Sequence, residues 1–478
     1  MPKRTNSNRD RGTASRSRPE THRGRKFSRG NHRRKQAGGR RGLPEQLPLA
    51  VDAPEALPSV LLGKPTSHPN IFRKRIRHMD GHPSVGDWVV VYAEEPNDPP
   101  QGDETADESS AQPAEPGRSE SPPRLLGYGI YNPKSEVAVR MVRWGASLPD
   151  SDYWQDLVSR AISLRHDLLD LQRTTDCYRI IHAEADGFPG MVVDRYANCL
   201  SAEIFSAGMA PRAMQIVEML GESLSTEHWL IQPGPHLQSQ EGFERRPTQS
   251  DRLPKEVSIH EGEVRFVVNF QDSHKTGFFC DQRENRQRLA ELCRGKSVLD
   301  LCCYTGGFSI TAAKAGQAAE VTGVDLDKAP LVVAQRNAGI NQVRAKFTQA
   351  DAFAYMRDML RTGRSYDVVV LDPPKLIRNR AELDEGTRRH FDLNRLAMQL
   401  VKPGGLLLTC SCAGLLQTAD FTRLVRAAAR SAFQPTDFNP NPIPRNMQIL
   451  AQNGAAACHP ISANCPETEY FKSMWLRL

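Results

Sequence analysis

No stretch of the 478 residues approaches the roughly 18 consecutive apolar residues that a membrane-spanning helix needs, so no such helix is expected. The N-terminus, MPKRTNSNRDRGTASRSR, lacks the apolar stretch of a secretory signal. It is Arg- and Ser-rich and loosely like a transit peptide, but its Gly, Asn and Pro content reads as a disordered arm. The ten cysteines form no CxxC pair and no disulfide framework. Cys410, Cys412, Cys458, His459 and Cys465 match no usual zinc spacing, so no metal is expected. A reducing, cytoplasmic setting fits this thiol usage. There is also no G-x-G-x-x-G fingerprint, which removes the main support for a nicotinamide-dependent oxidoreductase.

Ordinary globular composition is present, with 39% hydrophobic and 25% charged residues, and the length suggests about three domains. The net charge of +7 is unevenly spread. Residues 1–41 hold 15 Lys and Arg against 2 acids, leaving 48 basic against 54 acidic residues in the rest. The arm, expected over 1–50, cannot bury enough apolar surface to fold alone. It can neutralise phosphates by counterion release, although a solubilising tail has the same composition.

Short β-type runs at 87–92 (DWVVVY) and 136–142 (EVAVRMV), with turn signals at Gly127, Gly129 and Asn132-Pro133, point to a small β-barrel over 55–147. The acidic, Pro/Ser-rich stretch at 94–123 reads as a disordered insertion within it. Residues 148–250 mix helix and strand and read as an α+β connecting domain. A helix is expected over 153–171, strands over 177–182 and 191–195, and a helix over 210–223. From 255 to 478 strands alternate with helices. Strands are expected at 297–302, 321–325, around Phe347, at 366–372 and at 405–410, with helices at 311–319, 328–340, 352–361 and 385–400. That alternation predicts an α/β, doubly wound, Rossmann-like parallel sheet.

In such sheets ligands bind at the carboxyl ends of strands, and the chemistry-bearing residues fall there. Asp300 closes the first strand before a paired-glycine turn at Gly306 and Gly307, where close backbone approach is allowed. Asp325, about 20 residues on, suits ribose hydroxyls. Asp351 suits an adenine amino group, or equally a helix N-cap; Asp327 reads as an N-cap too. Asp372-Pro-Pro-Lys375 is a stiff loop presenting a carboxylate, suited to the edge of a planar base. Cys410 and Cys412 end the next strand. A thiolate there could attack C6 of a pyrimidine and make C5 nucleophilic, whereas a buried structural cysteine is the plainer role. The cation cluster Arg73, Lys74, Arg75 and Arg77 sits beside aliphatic and aromatic residues.

These segments together resemble the bacterial 23S ribosomal RNA cytosine-C5 methyltransferases that carry an N-terminal PUA domain. The resemblance runs from about 59 to 478 and rests most on 273–286 (SHKTGFFCDQRENR), 304–308 (YTGGF), 371–375 (LDPPK), 409–412 (TCSC) and the PUA-like 129–135 (GIYNPKS). It implies a class I methyltransferase domain using S-adenosyl-L-methionine. It places Lys275, Thr276, Gly277, Asp281 and Arg283 near that cofactor, with Asp300, Tyr304, Thr305, Gly306, Gly307, Asp325, Asp351 and Asp372 around it. Asp372 would also hold the cytosine edge. Cys410 would be the nucleophile, with Cys412 the alternative, and Cys302 and Cys303 packing residues. RNA would meet Arg73, Lys74, Arg75, Arg77 and Lys375. The partner implied is large-subunit RNA or an assembly intermediate, with room for a homodimer. The basic arm and the acidic insertion depart from the family pattern. Transfer to another base atom, or a non-catalytic RNA-binding assembly factor, would use the same fold.

Overall fold

Val368, Val369, Val370 and Leu371 are all fully buried, as a strand covered on both faces requires. In the computed structural model they lie at the centre of a seven-stranded sheet. The structure describes residues 43–51, 53–94, 122–234, 237–269, 278–433 and 444–478. Residues 1–42 of the expected arm, 95–121 of the acidic insertion, and Lys275, Thr276 and Gly277 lie outside the described residues.

The strands of that sheet are β1 (Ser297–Leu301), β2 (Glu320–Asp325), β3 (Lys346–Gln349), β4 (Tyr366–Leu371), β5 (Val401–Ser411), β6 (Gln448–Asn453) and β7 (Lys472–Arg477). Their order is β3-β2-β1-β4-β5-β7-β6. The first five run parallel, and β7 is antiparallel to both of its neighbours. Residue parity assigns the two faces. Val298, Val368, Val370, Leu406, Leu408 and Cys410 pack with Leu289, Phe308 and Trp475. Leu299, Leu301, Val369, Leu371 and Leu407 pack with Met356, Leu396 and Phe421. The order reverses between β1 and β4, so loops diverge there and leave the strand ends accessible to a ligand.

The expected helices over 328–340 and 352–361 form as Lys328–Ile340 and Ala352–Arg361. The helix expected over 311–319 instead occupies Gly307–Lys314, because the chain enters it directly from Gly306 in the left-handed region. In the middle of the chain the helix expected to reach 171 is α-helical to Ser163 and continues as a wider, π-helical turn over Leu164–Leu168. There Arg165 is wholly buried and paired with Asp186 at 2.7 Å, and Asp170 adopts φ +48.

Six strands from Ser59–Leu62 to Val137–Trp144 form a second sheet. Its outermost strands, Asn70–Phe72 and Ile76–Asp80, are joined by only the short turn Arg73–Arg75. Flat, six strands would separate those edges by roughly 24 Å, and three residues reach about 11 Å. The sheet must therefore curl on itself, helped by irregularities at Leu61/Leu62, Val91/Tyr92 and Tyr128/Gly129. A five-stranded sheet follows, flanked by the helices Ser151–Ser163 and Ala213–Leu224. The two share one hydrophobic cluster containing Trp88, Tyr128, Trp154 and Phe188. Leu49 and Val51 belong to the same cluster. Trp154 Nε1 donates to Leu49 O and Arg212 Nε to Pro48 O, both at 2.9 Å. Residues 43–50, which the sequence assigns to the arm, are thus packed against the fold.

A hairpin, Glu256–Glu261 with Val264–Asn269, leads into the seven-stranded domain. Glu261 at its turn receives a bidentate pair from Arg286, at 2.7 and 2.6 Å, and both residues are buried. Removing one partner of such a pair strands a charge, at about 3–5 kcal/mol. Arg286→Met should therefore lower the unfolding free energy by about that amount, and Glu261→Leu/Arg286→Met by much less. Urea unfolding followed by circular dichroism decides; equal losses in both variants would mean the charge pair is not what holds the joint.

Candidate active site at the carboxyl ends of the strands

The turn leaving β1 is built from backbone that L-residues rarely adopt. Cys302, Tyr304 and Gly306 have φ of +62, +49 and +82; for the first two this is strained. The strain is held by tethers. Cys303 N donates to Val324 O at 3.0 Å and Gly306 N to Cys303 O at 2.8 Å. Tyr304 N donates to Asp325 Oδ2 at 2.8 Å. The buried Asn337 donates from Nδ2 to Thr305 O at 3.0 Å, while its Oδ1 accepts from Val267 N. A side chain at Gly306 would press within 3.2 Å of Ala334. The turn is thereby fixed against β2, the hairpin and the helix Lys328–Ile340.

Asp300 is fully buried and accepts from Ser309 N at 3.0 Å and Ser309 Oγ at 2.6 Å on one oxygen. Its other oxygen has no hydrogen-bond partner among the described residues. Burial pushes its pKa up to about 7, against the lowering by Ser309. Asp325 ends β2, half-buried, and Asp327 N also donates to it at 3.0 Å. Asp351 is exposed and caps the helix Ala352–Arg361, accepting from Ala354 N at 2.9 Å. Asp327 stands at an N-cap position without a capping side-chain bond.

Asp372 follows β4, half-buried; Pro373 is buried, and Pro374 and Lys375 are exposed. On the neighbouring strand Cys410 is fully buried on the face packed with Leu289, Phe308 and Trp475. Burial raises its thiol pKa well above the ordinary value; the Asp372 and Asp281 carboxylates raise it further, and Gln282 opposes them. The thiol expected to attack substrate is thus enclosed in the core. Cys412 continues the same residue parity just past the end of β5 and is partly exposed.

Of the segment 278–286, Asp281 is buried and accepts from Tyr470 OH at 2.5 Å. Arg283, expected beside the cofactor, is buried with its guanidinium on Cys458 Sγ at 3.3 Å and Glu284 at 3.2 Å. Sequence reasoning passed over Gln282. Trp475 Nε1 donates to Asn285 Oδ1 at 3.1 Å, Asn285 Nδ2 to Gln282 Oε1 at 2.7 Å, and Gln282 Nε2 to Cys410 Sγ at 3.4 Å. The available signal was the polar run DQREN at the entrance to a helix, of which all but Glu284 are buried. Asp194, Cys280 and His459 also converge, their ligand atoms within 4.8 Å of one another. Asp194 is already held by Arg179 at 2.6 and 3.0 Å.

Residues 189–439 match the family model of S-adenosylmethionine-dependent methyltransferases. Among solved structures, the SMU.776 protein complexed with SAH superposes with a TM-score of 0.67 at 16% identity, over 88% of this chain and all of that one. A SAM-dependent methyltransferase structure from Streptococcus mutans gives 0.68 at 16%, with the same coverage. At that identity the likeness speaks for the fold. Ribosomal RNA large subunit methyltransferase I of Shewanella frigidimarina is 34% identical over 420 residues, 86% of this chain and 95% of that protein. The Pseudoalteromonas atlantica protein of the same name is 33% identical, covering 85% and 94%. The chain belongs to this methyltransferase I family and is an S-adenosylmethionine-dependent methyltransferase.

The strand ends fit that cofactor. Asp325 offers a carboxylate for ribose hydroxyls, the strained turn and the start of the helix Gly307–Lys314 bring backbone close, and Asp300 keeps an unused buried acceptor. The raised pKa of Asp300 has a consequence for stability. An unfolded Asp titrates near ~3.9, so between that and about 7 the native state binds a proton that the unfolded state does not. Stability contributed by this group therefore falls as pH rises through that window. Asp300→Asn should remove the slope and be more stable than the parent at pH ~8 by on the order of 2–4 kcal/mol. Urea unfolding of the cofactor-free proteins across pH ~5 to 8 tests this; parallel stability curves would rule it out.

Proposed function

We propose that this enzyme methylates C5 of a cytosine in large-subunit ribosomal RNA, with Cys412 as the nucleophile. The observation that carries the reading is the juxtaposition at the ends of β4 and β5: the stiff Asp372-Pro-Pro-Lys375 loop beside a strand terminus whose outermost thiol is partly exposed. The relatives' ribosomal RNA substrate supports the RNA assignment. Bound S-adenosylmethionine supplies the methyl group. The chain's own groups prepare the base. Asp372 grips the polar edge of a cytosine splayed out of its stack. The Cys412 thiolate forms a bond to C6, which moves the ring electrons to C5 and makes that carbon the methyl acceptor. Loss of the C5 proton then returns the electrons and breaks the C6–S bond. Cys410, wholly buried, serves packing.

RNA is held by cations outside this acid-lined centre. Lys74 and Arg75 are exposed in the turn that joins the edges of the curled sheet, which we read as PUA-like. Arg77 is exposed but ion-paired with Glu94, and Arg73 is spent internally on Asn132 O and Ser135 O. Lys375 lies at the strand ends. The thiol chemistry needs a reducing compartment, consistent with a cytoplasmic enzyme.

Nucleoside mass spectrometry after incubating unmodified large-subunit RNA with the protein and S-adenosylmethionine should reveal 5-methylcytidine. Cys412→Ser should lose transfer by about a thousandfold or more with cofactor binding retained, whereas Cys410→Ala should stay within about threefold of the parent. A different methylated nucleoside would end the C5 and thiol readings together. Absence of methylation on both free RNA and subunits would favour a binding factor.

A further inference from the structure

Lys472 opens β7 directly opposite Ser411 of β5. The side chain is buried, 4% exposed. Its Nζ donates to Ala413 O at 2.7 Å and to Tyr470 O at 3.2 Å. Neutral carbonyls thus occupy two of its three donor positions. Among the described residues no carboxylate comes within 4.0 Å of it. A buried ammonium held only by carbonyls is an expensive feature if it merely closes a turn. Ala413 is the residue after Cys412, so this charge is anchored to the peptide that carries the exposed thiol.

We propose that Lys472 is a positioning residue for the reaction. It pins the turn after β5 through Ala413 O and holds a fixed positive charge beside the Cys412 thiol, favouring the thiolate. This inference rests on the reading of Cys412 as nucleophile.

Among the described residues, charges of both signs surround this pair. Asp372 from the β4 loop and Asp281 from the 280–282 turn oppose ionisation of the Cys410 thiol. Glu469, exposed and accepting from Thr418 Oγ1 at 3.0 Å, favours the charged form of Lys472. Cys410 is held protonated by burial. His390, beneath Ser411, has its pKa lowered to about 4 by burial and by Lys472 itself, so it is neutral at pH 7. Lys375 is a second cation, but an exposed one. Lys472 is the buried cation of the group, and buried charges are the least screened by water and salt. Burial lowers the pKa of Lys472; Glu469 and then Cys412 favour its charged form, and Lys375 opposes it.

The test reads the thiol itself. Full-length parent, Lys472→Met and Lys472→Arg are alkylated with iodoacetamide across a pH series, and modification of Cys412 is quantified by peptide mass spectrometry. The parent midpoint should lie below the ~8.5 of an ordinary thiol. Lys472→Met should alkylate about tenfold more slowly near pH ~7, and Lys472→Arg should recover most of the loss. A purely structural lysine would leave the midpoint of a folded, cofactor-binding Lys472→Met unchanged, and that result overturns the proposal. Should Lys472→Met fail to fold, a parent midpoint at or above ~8.5 overturns it without any variant. Methyl transfer surviving in Cys412→Ser would instead remove the nucleophile reading, and the alkylation result would still report on the coupling.

Discussion

The arrangement of this enzyme hangs on the guanidinium of Arg286. It is buried, forms a bidentate pair with Glu261, and donates to Phe279 O at 3.0 Å. It lies over the Phe278 ring at 4.7 Å, and a side chain added at Gly307 would meet it at 3.5 Å. One side chain therefore joins the hairpin before the catalytic domain, the segment bearing Asp281 and Gln282, and the first turn of the helix after the glycine pair. A buried pair of this kind adds little net stability over an apolar substitute. Its planar fork instead fixes the angle at which those three pieces meet.

From that joint the order of the site propagates by donors with no freedom of assignment. An indole nitrogen can only donate, so Trp475 makes Asn285 present its oxygen. Asn285 must then offer its amide protons to Gln282, and Gln282 turns its own amide protons toward Cys410. Cys410 is consequently an acceptor locked in a dry core, while two residues on, past the last strand residue, the chain emerges with Cys412. Two thiols of equal parity thus meet the same cluster but differ in burial because the strand ends between them.

Much of this was legible in the sequence. The strands at 297–301, 320–325 and 366–371 are short segments centred on Val and Leu and bounded by turn residues, and Asp351 capping a helix follows from its place before an amphipathic stretch. Illegible features all depended on long-range contacts. Pro48 and Leu49 look like the tail of a polar arm until Arg212 and Trp154, more than 100 residues away, donate to their carbonyls. The contact of Arg283 with Cys458, 175 residues away, has no sequence signal. That Cys410 is buried and Cys412 only partly so depends on where β5 ends. Lys472 reaches the site only because β7 runs antiparallel to its neighbours.

Charge placement also constrains how a polyanion can approach. Asp300, Asp325, Asp351 and Asp372 gather at the strand ends, which suits ribose hydroxyls, amino groups and a cationic sulfonium and disfavours phosphate. In the proposed reaction the RNA backbone must stay outside this ring of acids while a single base enters it. Lys74, Arg75 and Lys375 are too few to supply the whole attraction, since residues 42–478 carry 48 basic against 54 acidic side chains. The 15 cations within residues 1–41 can supply the remainder through counterion release, which is independent of sequence. In that proposed reaction affinity and selection would be carried by different parts of one chain, since phosphate contacts position a nucleic acid and contacts to a base select it.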